Sequence, residues 1–419
     1  MTADARPLSL ATRETVLLVV ALGGIYIVSQ FLRNSVGVIA PNLASELGLS
    51  ASEIGLLASV FFFSFAAAQI PLGVALDRYG PRNCMLVCAA IAILGTLMFA
   101  LAVSPVWLIA ARVLMGLGSS CYLMAPLALY AKRYPPDRFA TLVGLQIGLG
   151  TLGTLLATAP FAFAVELIGW RMSFVAIAVF VLVAAVLVAV VVREQADDRP
   201  GTRETLRDSL RGTLEATRVP SFWPVFAMQC AGYSSFVIVV GLWGGPYLTH
   251  IYGFSLTERG NMLFVAVMAQ VVGSFLWGTS DRLFGSYKIP VLAAQLLTAG
   301  AMGLAAWIGV FPPLILFFWF IAIGFSTAVL SVLIAHGKSL FPPQIVGRGI
   351  TLMNIGTMGG VFASQTITGF IIDLFPLTSD GYALNAYRAV FAFQAGVILL
   401  SSLAYLFSSD PRRNPRSWG

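Results

Sequence analysis

Charge is scarce in this sequence. Acidic and basic residues make up 10 % of its 419 residues and hydrophobic ones 58 %, where soluble domains carry about 25 % charge. A soluble chain of this length could not hide so much apolar surface, so its solvent is a bilayer. The net charge of +7 then calls for no nucleic acid, because basic residues collect at the cytoplasmic ends of membrane spans. Histidine is nearly missing, with only His250 and His336. The four cysteines, Cys84, Cys88, Cys121 and Cys230, all fall in apolar runs. Cys84 and Cys88 share a helix face, but a metal needs more ligands than that. No metal or other cofactor is expected. No Gly-Lys-Ser/Thr loop is present, which excludes a self-contained ATP-driven pump. No carboxylate falls at mid-membrane: Glu166 and Asp373 end two spans at matching places, and Asp77 and Asp281 belong to turns. A dedicated proton relay is therefore not visible, and no catalytic pair for an intramembrane enzyme can be assembled. The first apolar run, from about Thr15 to Ala40, is too long for a cleavable signal core of ~7–15 residues and reads as a span.

What the chain does have is a repeat. Residues 41–55 read PNLASELGLSASEIG and residues 246–260 read PYLTHIYGFSLTERG, 205 positions further on, with Pro, Leu, Gly, Ser, Glu and Gly in the same places. Ser50 with Glu53, and Ser255 with Glu258, are capping boxes, in which each side chain takes an orphan amide at a helix start. Each copy leads into an apolar run that ends in a basic turn, Asp77-Arg78-Tyr-Gly80-Pro-Arg82 or Asp281-Arg282-Leu-Phe-Gly285-Ser-Tyr-Lys288. A motif repeated at half the chain length means two homologous halves, a common construction of secondary transporters.

A spanning helix needs roughly 20 apolar residues. Twelve such runs can be marked, which predicts an all-α membrane protein of two pseudo-symmetric six-helix bundles, residues 1–192 and 221–419. The polar stretch between them, 193–220, reads as a cytoplasmic linker, with a short amphipathic helix over Thr202 to Thr217. With both termini inside, the inner segments hold 20 of the 25 Lys and Arg, and the outer loops hold only Arg171, Arg259 and Arg388. That bias fixes the orientation in a cell inner membrane.

Twelve spans in two halves, the turn from Gly73 to Arg82, its weaker copy between spans 8 and 9, and Arg112-Val-Leu-Met-Gly116-Leu-Gly118 in span 4 resemble the major facilitator superfamily. The resemblance implies that Asp77, Arg78 and Arg82, with Asp281 and Arg282 of the second copy, form a latch that holds the halves together on the inner side. The second copy lacks the Gly80-Pro81 step and has Lys288 for Arg82. Within the superfamily, Arg33-Asn34 and the residues up to Pro41 resemble the anion:cation symporters and the sugar-phosphate exchangers. In those groups an arginine at this place binds a substrate carboxylate or phosphate. The phosphate exchangers carry a second one in span 7, where this chain has Ile238. The Gly-Pro…Gly-Gly signature of drug antiporters in span 5 is not matched.

Arg33 also stands on its own. A charge at membrane depth costs about 2.5–3.5 kcal/mol on insertion scales and normally faces a cavity or a partner. It lies roughly 10 Å of helix from the span end, a long reach for a snorkelling side chain. Tyr26, Gln30 and Arg33 fall on one helix face and offer a hydroxyl, an amide and a guanidinium to a carboxylate. Span 7 offers Tyr233 and Trp243, span 5 Gln146 and span 11 Asn354, each of which is as readily packing or interhelical glue. Arg112 is either structural or part of coupling. The expectation is a monomeric secondary transporter working by alternating access on a small organic anion, a carboxylate, with the lipid bilayer as its other partner and protons as a candidate coupling ion. The alternatives are efflux of drugs or amphipathic metabolites, and a transporter-like sensor without flux.

Overall fold

The structure, a computed structural model, describes residues 13–192, 214–342, 345–379 and 381–412. The first half of the chain folds as α1 (Arg13–Leu47), α2 (Ala51–Ala100), α3 (Pro105–Ser119), α4 (Met124–Arg133), α5 (Pro136–Leu156) and α6 (Ala159–Val191). The second folds as α7 (Phe222–Ile238), a π-helical turn (Val239–Trp243), α8 (Gly244–Tyr252), α9 (Leu256–Trp277), α10 (Ser280–Leu283), α11 (Lys288–Ile308), α12 (Pro313–Thr327), α13 (Leu330–Leu340), α14 (Val346–Asp373) and α15 (Leu384–Tyr405). A hairpin of β1 (Leu377–Thr378) and β2 (Gly381–Tyr382) joins the last two helices, with Leu377 opposite Tyr382. Most of the expected linker, residues 193 to 213, lies outside the described residues.

Among the described residues, ten helical stretches are long and apolar enough to cross a membrane, where the sequence predicts twelve. The difference has two origins: α2 counts once where the sequence has two spans, and the apolar part of α5, Thr141–Leu156, is short because the fifth predicted span continues into the start of α6. α2 runs 50 residues as one element, yet Gly80 inside it has φ 80° and ψ 160°. Gly169 breaks α6 in the same way, with φ 76° and ψ 161°. Only glycine adopts that backbone cheaply, so each rod bends there without an intervening loop. A straight helix of α2's length would measure about 75 Å, more than twice a bilayer core. Outward faces are apolar throughout: Phe275, Trp307, Leu314 and Phe407 are all exposed, as a lipid-facing surface requires.

Both capping boxes form. Glu53 accepts the Ser50 amide at 2.9 Å, while Ser50 Oγ accepts the Glu53 amide at 3.2 Å. In the second copy Glu258 accepts from Ser255 at 2.8 Å and Ser255 Oγ from Glu258 at 3.3 Å. The two copies sit at the same end of the molecule, and there the halves pack backbone to backbone. A Cβ on Gly37 of α1 would collide with the Val240 carbonyl oxygen in the π-turn. One on Gly55 of α2 would lie 2.7 Å from the Gln365 carbonyl oxygen of α14, and one on Gly260 of α9 would lie 2.6 Å from Ala162 of α6. Small residues are what permit such close approach between membrane helices.

Candidate functional site

The α1 face that carries Tyr26, Gln30 and Arg33 points into the interior. Arg33 is only 7 % exposed. Its guanidinium lies 4.4 Å above the Phe65 ring of α2, and it makes no hydrogen bond or ion pair with any described residue. The other buried arginines differ. Arg112 donates to the carbonyls of Leu32 at 2.5 Å, Leu57 at 3.1 Å and Ala58 at 3.5 Å, so it braces α3 against α1 and α2. Arg259 donates to Thr249 at 2.8 Å and to Asn42. Arg33 alone among these is a buried cation whose polar capacity is unused. A cation–π contact is worth about 0.5–2 kcal/mol, less than the cost of the charge at membrane depth.

Other unsatisfied polar groups lie on the same helix and across the halves from it. Tyr26 packs its ring on Gly150 of α5 and interacts electrostatically with Arg33 and, from the other half, Tyr233. Gln30 Oε1 is buried without a partner. Asn34, one residue on, donates to the Gln30 carbonyl at 3.0 Å, but its own Oδ1 is unpartnered. Across the halves, Gln365 of α14 is fully buried with both amide atoms unpartnered. A Cβ on Gly241 of the π-turn would lie 3.4 Å from Asn34 Oδ1 and 3.9 Å from Gln365 Nε2, so both amides border one point. Single π-turns inside helices recur at functional sites. Asn34 carries a signal in the sequence, its place beside Arg33 in an apolar run, whereas nothing in the sequence sets Gln365 apart from other amides in the spans.

Two further sequence candidates spend their polar groups on neighbouring helices, and a third stands apart along α14. Gln146 spends both ends of its amide, accepting from Tyr130 at 3.1 Å and donating to the Leu22 carbonyl at 3.0 Å, and so ties α5 to α4 and α1. Trp243 is fully buried at the joined end and donates to Thr368 Oγ1 at 2.9 Å, a brace from the π-turn to α14. Asn354 is half-buried, about 16 Å along α14 from Gln365.

At the opposite end, three side chains of the two basic turns find partners in their own half. Arg82 donates to the Ala189 carbonyl of α6 at 2.9 Å. Asp281 pairs with Arg412 at 2.5 Å, and Arg78 stacks on its neighbour Tyr79. The segment that carries Arg412 is pinned by Asp410. Burial would raise that carboxyl's pKa, but hydrogen bonds from Ser286 and from the amides of Lys288, Arg412 and Tyr287 outweigh it and hold it below the ordinary range.

The Major Facilitator Superfamily matches the chain over residues 22–245 and again over 230–419. Among curated relatives, a probable sulfoacetate transporter of Cupriavidus necator is 25 % identical over 65 % of this chain and 66 % of its own length. The hexuronate transporter of Bacillus subtilis is 24 % identical over 92 % of this chain and 94 % of its own. Among solved structures, a bacterial homologue of the human lysosomal transporter Spinster, inward-facing and unoccupied, superimposes with a TM-score of 0.70 at 19 % identity, covering 94 % of this chain and 95 % of that one.

Proposed function

The chain belongs to the Major Facilitator Superfamily, and from that premise we propose that it is a secondary transporter moving a small organic anion, a carboxylate, by alternating access. The observation that carries this reading is Arg33, a buried guanidinium with no hydrogen bond or ion pair to any described residue. A carboxylate laid against its planar fork supplies the missing negative charge and takes two hydrogen bonds. Tyr26, Gln30 and Tyr233 border the same space. The unpartnered amides of Asn34 and Gln365 extend it toward a group that both donates and accepts, such as a hydroxyl. Of the proteins named above, one is a hexuronate transporter and one a probable sulfoacetate transporter, and both substrates are organic anions. An unpaired guanidinium repels a cationic cargo.

In this reading Gly80 divides α2 into two spans, α5 with the start of α6 up to Gly169 makes the fifth and the rest of α6 the sixth, which gives twelve spans in two bundles, 1–192 and 221–419. The 193–220 linker and both termini lie in the cytoplasm. The joined end is then the outer one, the form described here is open inward, and the turns around Asp77 and Asp281 form the latch that closes the inner side in the other state. The working unit is a monomer. Protons remain the candidate coupling ion, carried by the substrate or by a carboxylate at a span end. A cysteine placed at Gly201, in a background without the native ones, should resist an impermeant maleimide added to intact cells and react after permeabilisation. Ready labelling from outside would invert the topology.

The function itself is tested by titrating purified protein with carboxylic acids, their primary amides, and deoxy analogues. Acids should bind and amides should not, because an amide leaves the guanidinium charge unpaired. Each hydroxyl that reaches Asn34 or Gln365 should contribute about tenfold, the worth of one satisfied buried polar pair. Amides or organic cations that bind as well as acids would replace this reading with efflux.

A further inference from the structure

The two carboxylates that end spans at matching places are both engaged across the halves. Asp373, at the end of α14, accepts the Ala51 amide at 3.0 Å and the Ser52 amide at 2.9 Å, the first two of α2. Glu166, in α6, accepts the Thr257 amide at 3.1 Å and the Thr257 hydroxyl at 2.6 Å, in the first turn of α9. The capped positions, Ser52 and Thr257, are 205 residues apart, the spacing of the repeat. We propose that Glu166 and Asp373 are a symmetric pair of locks on the outer end, each closing it by capping a helix start in the opposite half. This rests on alternating access but on nothing about the cargo.

The chemistry suits a gate. A helix start leaves its first amides without intrahelical partners and carries partial positive charge. In α2 the capping box serves the amides of Ser50 and Glu53, which leaves those of Ala51 and Ser52 to an outside acceptor. While the halves are joined, that acceptor is Asp373. When they part, water takes its place, and the exposed carboxylate is hydrated as well. Opening therefore leaves no buried group unsatisfied, and each lock contributes a modest bias toward closure. Glu46, by contrast, pairs with Arg171 inside its own half and holds no gate. Among the described residues, two other side-chain bonds cross the halves, from Arg259 to Asn42 and from Thr366 to Ser59 at 2.8 Å; the first has no symmetric copy, because Ile54 stands at the position equivalent to Arg259.

The test measures the width of the outer end by electron paramagnetic resonance between spin labels at Ser45 and Leu377, both exposed, in the full-length purified protein. Glu166→Gln and Asp373→Asn should each raise the ratio of open to closed distances about threefold, and the double variant about tenfold. Glu166→Asp and Asp373→Glu, which keep the charge, should move the ratio less. A cysteine at Ser59, buried at the joined end where its hydroxyl accepts from Thr366 across the halves, should be alkylated faster in the neutral variants than in the Ser59→Cys protein that keeps Glu166 and Asp373, and gives a second reading of the same opening. If both measurements stay at wild-type values in the neutral variants while transport continues, the locks are refuted and alternating access stands. If the end shows one distance in every variant, including a Gly37→Ala variant whose Cβ would collide with the π-turn, while transport continues, alternating access itself falls.

Discussion

Arg33→Gln should abolish anion binding and, in the same protein, raise the thermal stability of the empty form. The two signs follow from one fact. The guanidinium is buried and has no hydrogen bond or ion pair to any described residue, so removing it breaks nothing but a stack on Phe65. It also lifts a charge from membrane depth that costs about 2.5–3.5 kcal/mol. Hydrogen bonds to a charged group are worth about 1.5–3 kcal/mol each, so the loss of a bidentate pair should weaken binding by a hundredfold or more. Arg33→Lys keeps the charge but not the fork and should bind roughly tenfold more weakly than wild type. Calorimetric titration gives the affinities, and thermal unfolding with and without ligand gives the stabilities. The stabilisation that a saturating carboxylate confers should vanish in Arg33→Gln. Binding that survives the substitution would remove Arg33 from the site. A marked loss of stability in the empty form would mean that the arginine is structural, as Arg112 is with its three carbonyl partners.

The features legible in the sequence were those that physics keeps local or makes expensive. A capping box is set by residues three apart, and both formed. Arg33 stood out because a charge in an apolar run is costly wherever the helix goes. Helical periodicity put Tyr26, Gln30 and Arg33 on one face, and the structure turns that face inward. Periodicity does not say what the face meets. Gln146 and Trp243 are polar or amphipathic groups at plausible depths, yet each spends its hydrogen bonds on neighbouring helices. The partner of Asp373 lies 322 positions away in the chain, and no local pattern announces it. Helix count was blurred for another reason. Gly80 and Gly169 bend the chain through a single residue, so a break that hydropathy marks as a loop is a kink in a continuous rod.

Gly37→Ala should stop transport while leaving the fold intact or firmer. A Cβ at this position would lie 2.8 Å from the Gly241 carbonyl carbon and 3.0 Å from the Leu242 amide nitrogen, and would collide with the Val240 carbonyl oxygen. Carbon atoms in good contact stand about 3.5–4.0 Å apart. The atoms in the way are backbone of the π-turn, so no side chain can swing aside, and α1 must move away from the second half as a body. Gly37 itself sits inside α1, where alanine is the better helix former by roughly 1 kcal/mol. The substitution therefore favours each half and penalises only their meeting at this end. Overpacking of this kind costs about 1–3 kcal/mol, which shifts a two-state equilibrium about 5–150-fold. The variant should populate the form in which the outer end is open, with a long distance between labels at Ser45 and Leu377, and with anion binding retained because Arg33 is untouched. Gly148→Ala is the control, since a Cβ there meets nothing within 4 Å. It should transport as wild type does. Gly37→Ala that transports normally, with the outer end still closed, would show that the α1 contact with the π-turn yields on the scale of a methyl group and that closure is set elsewhere.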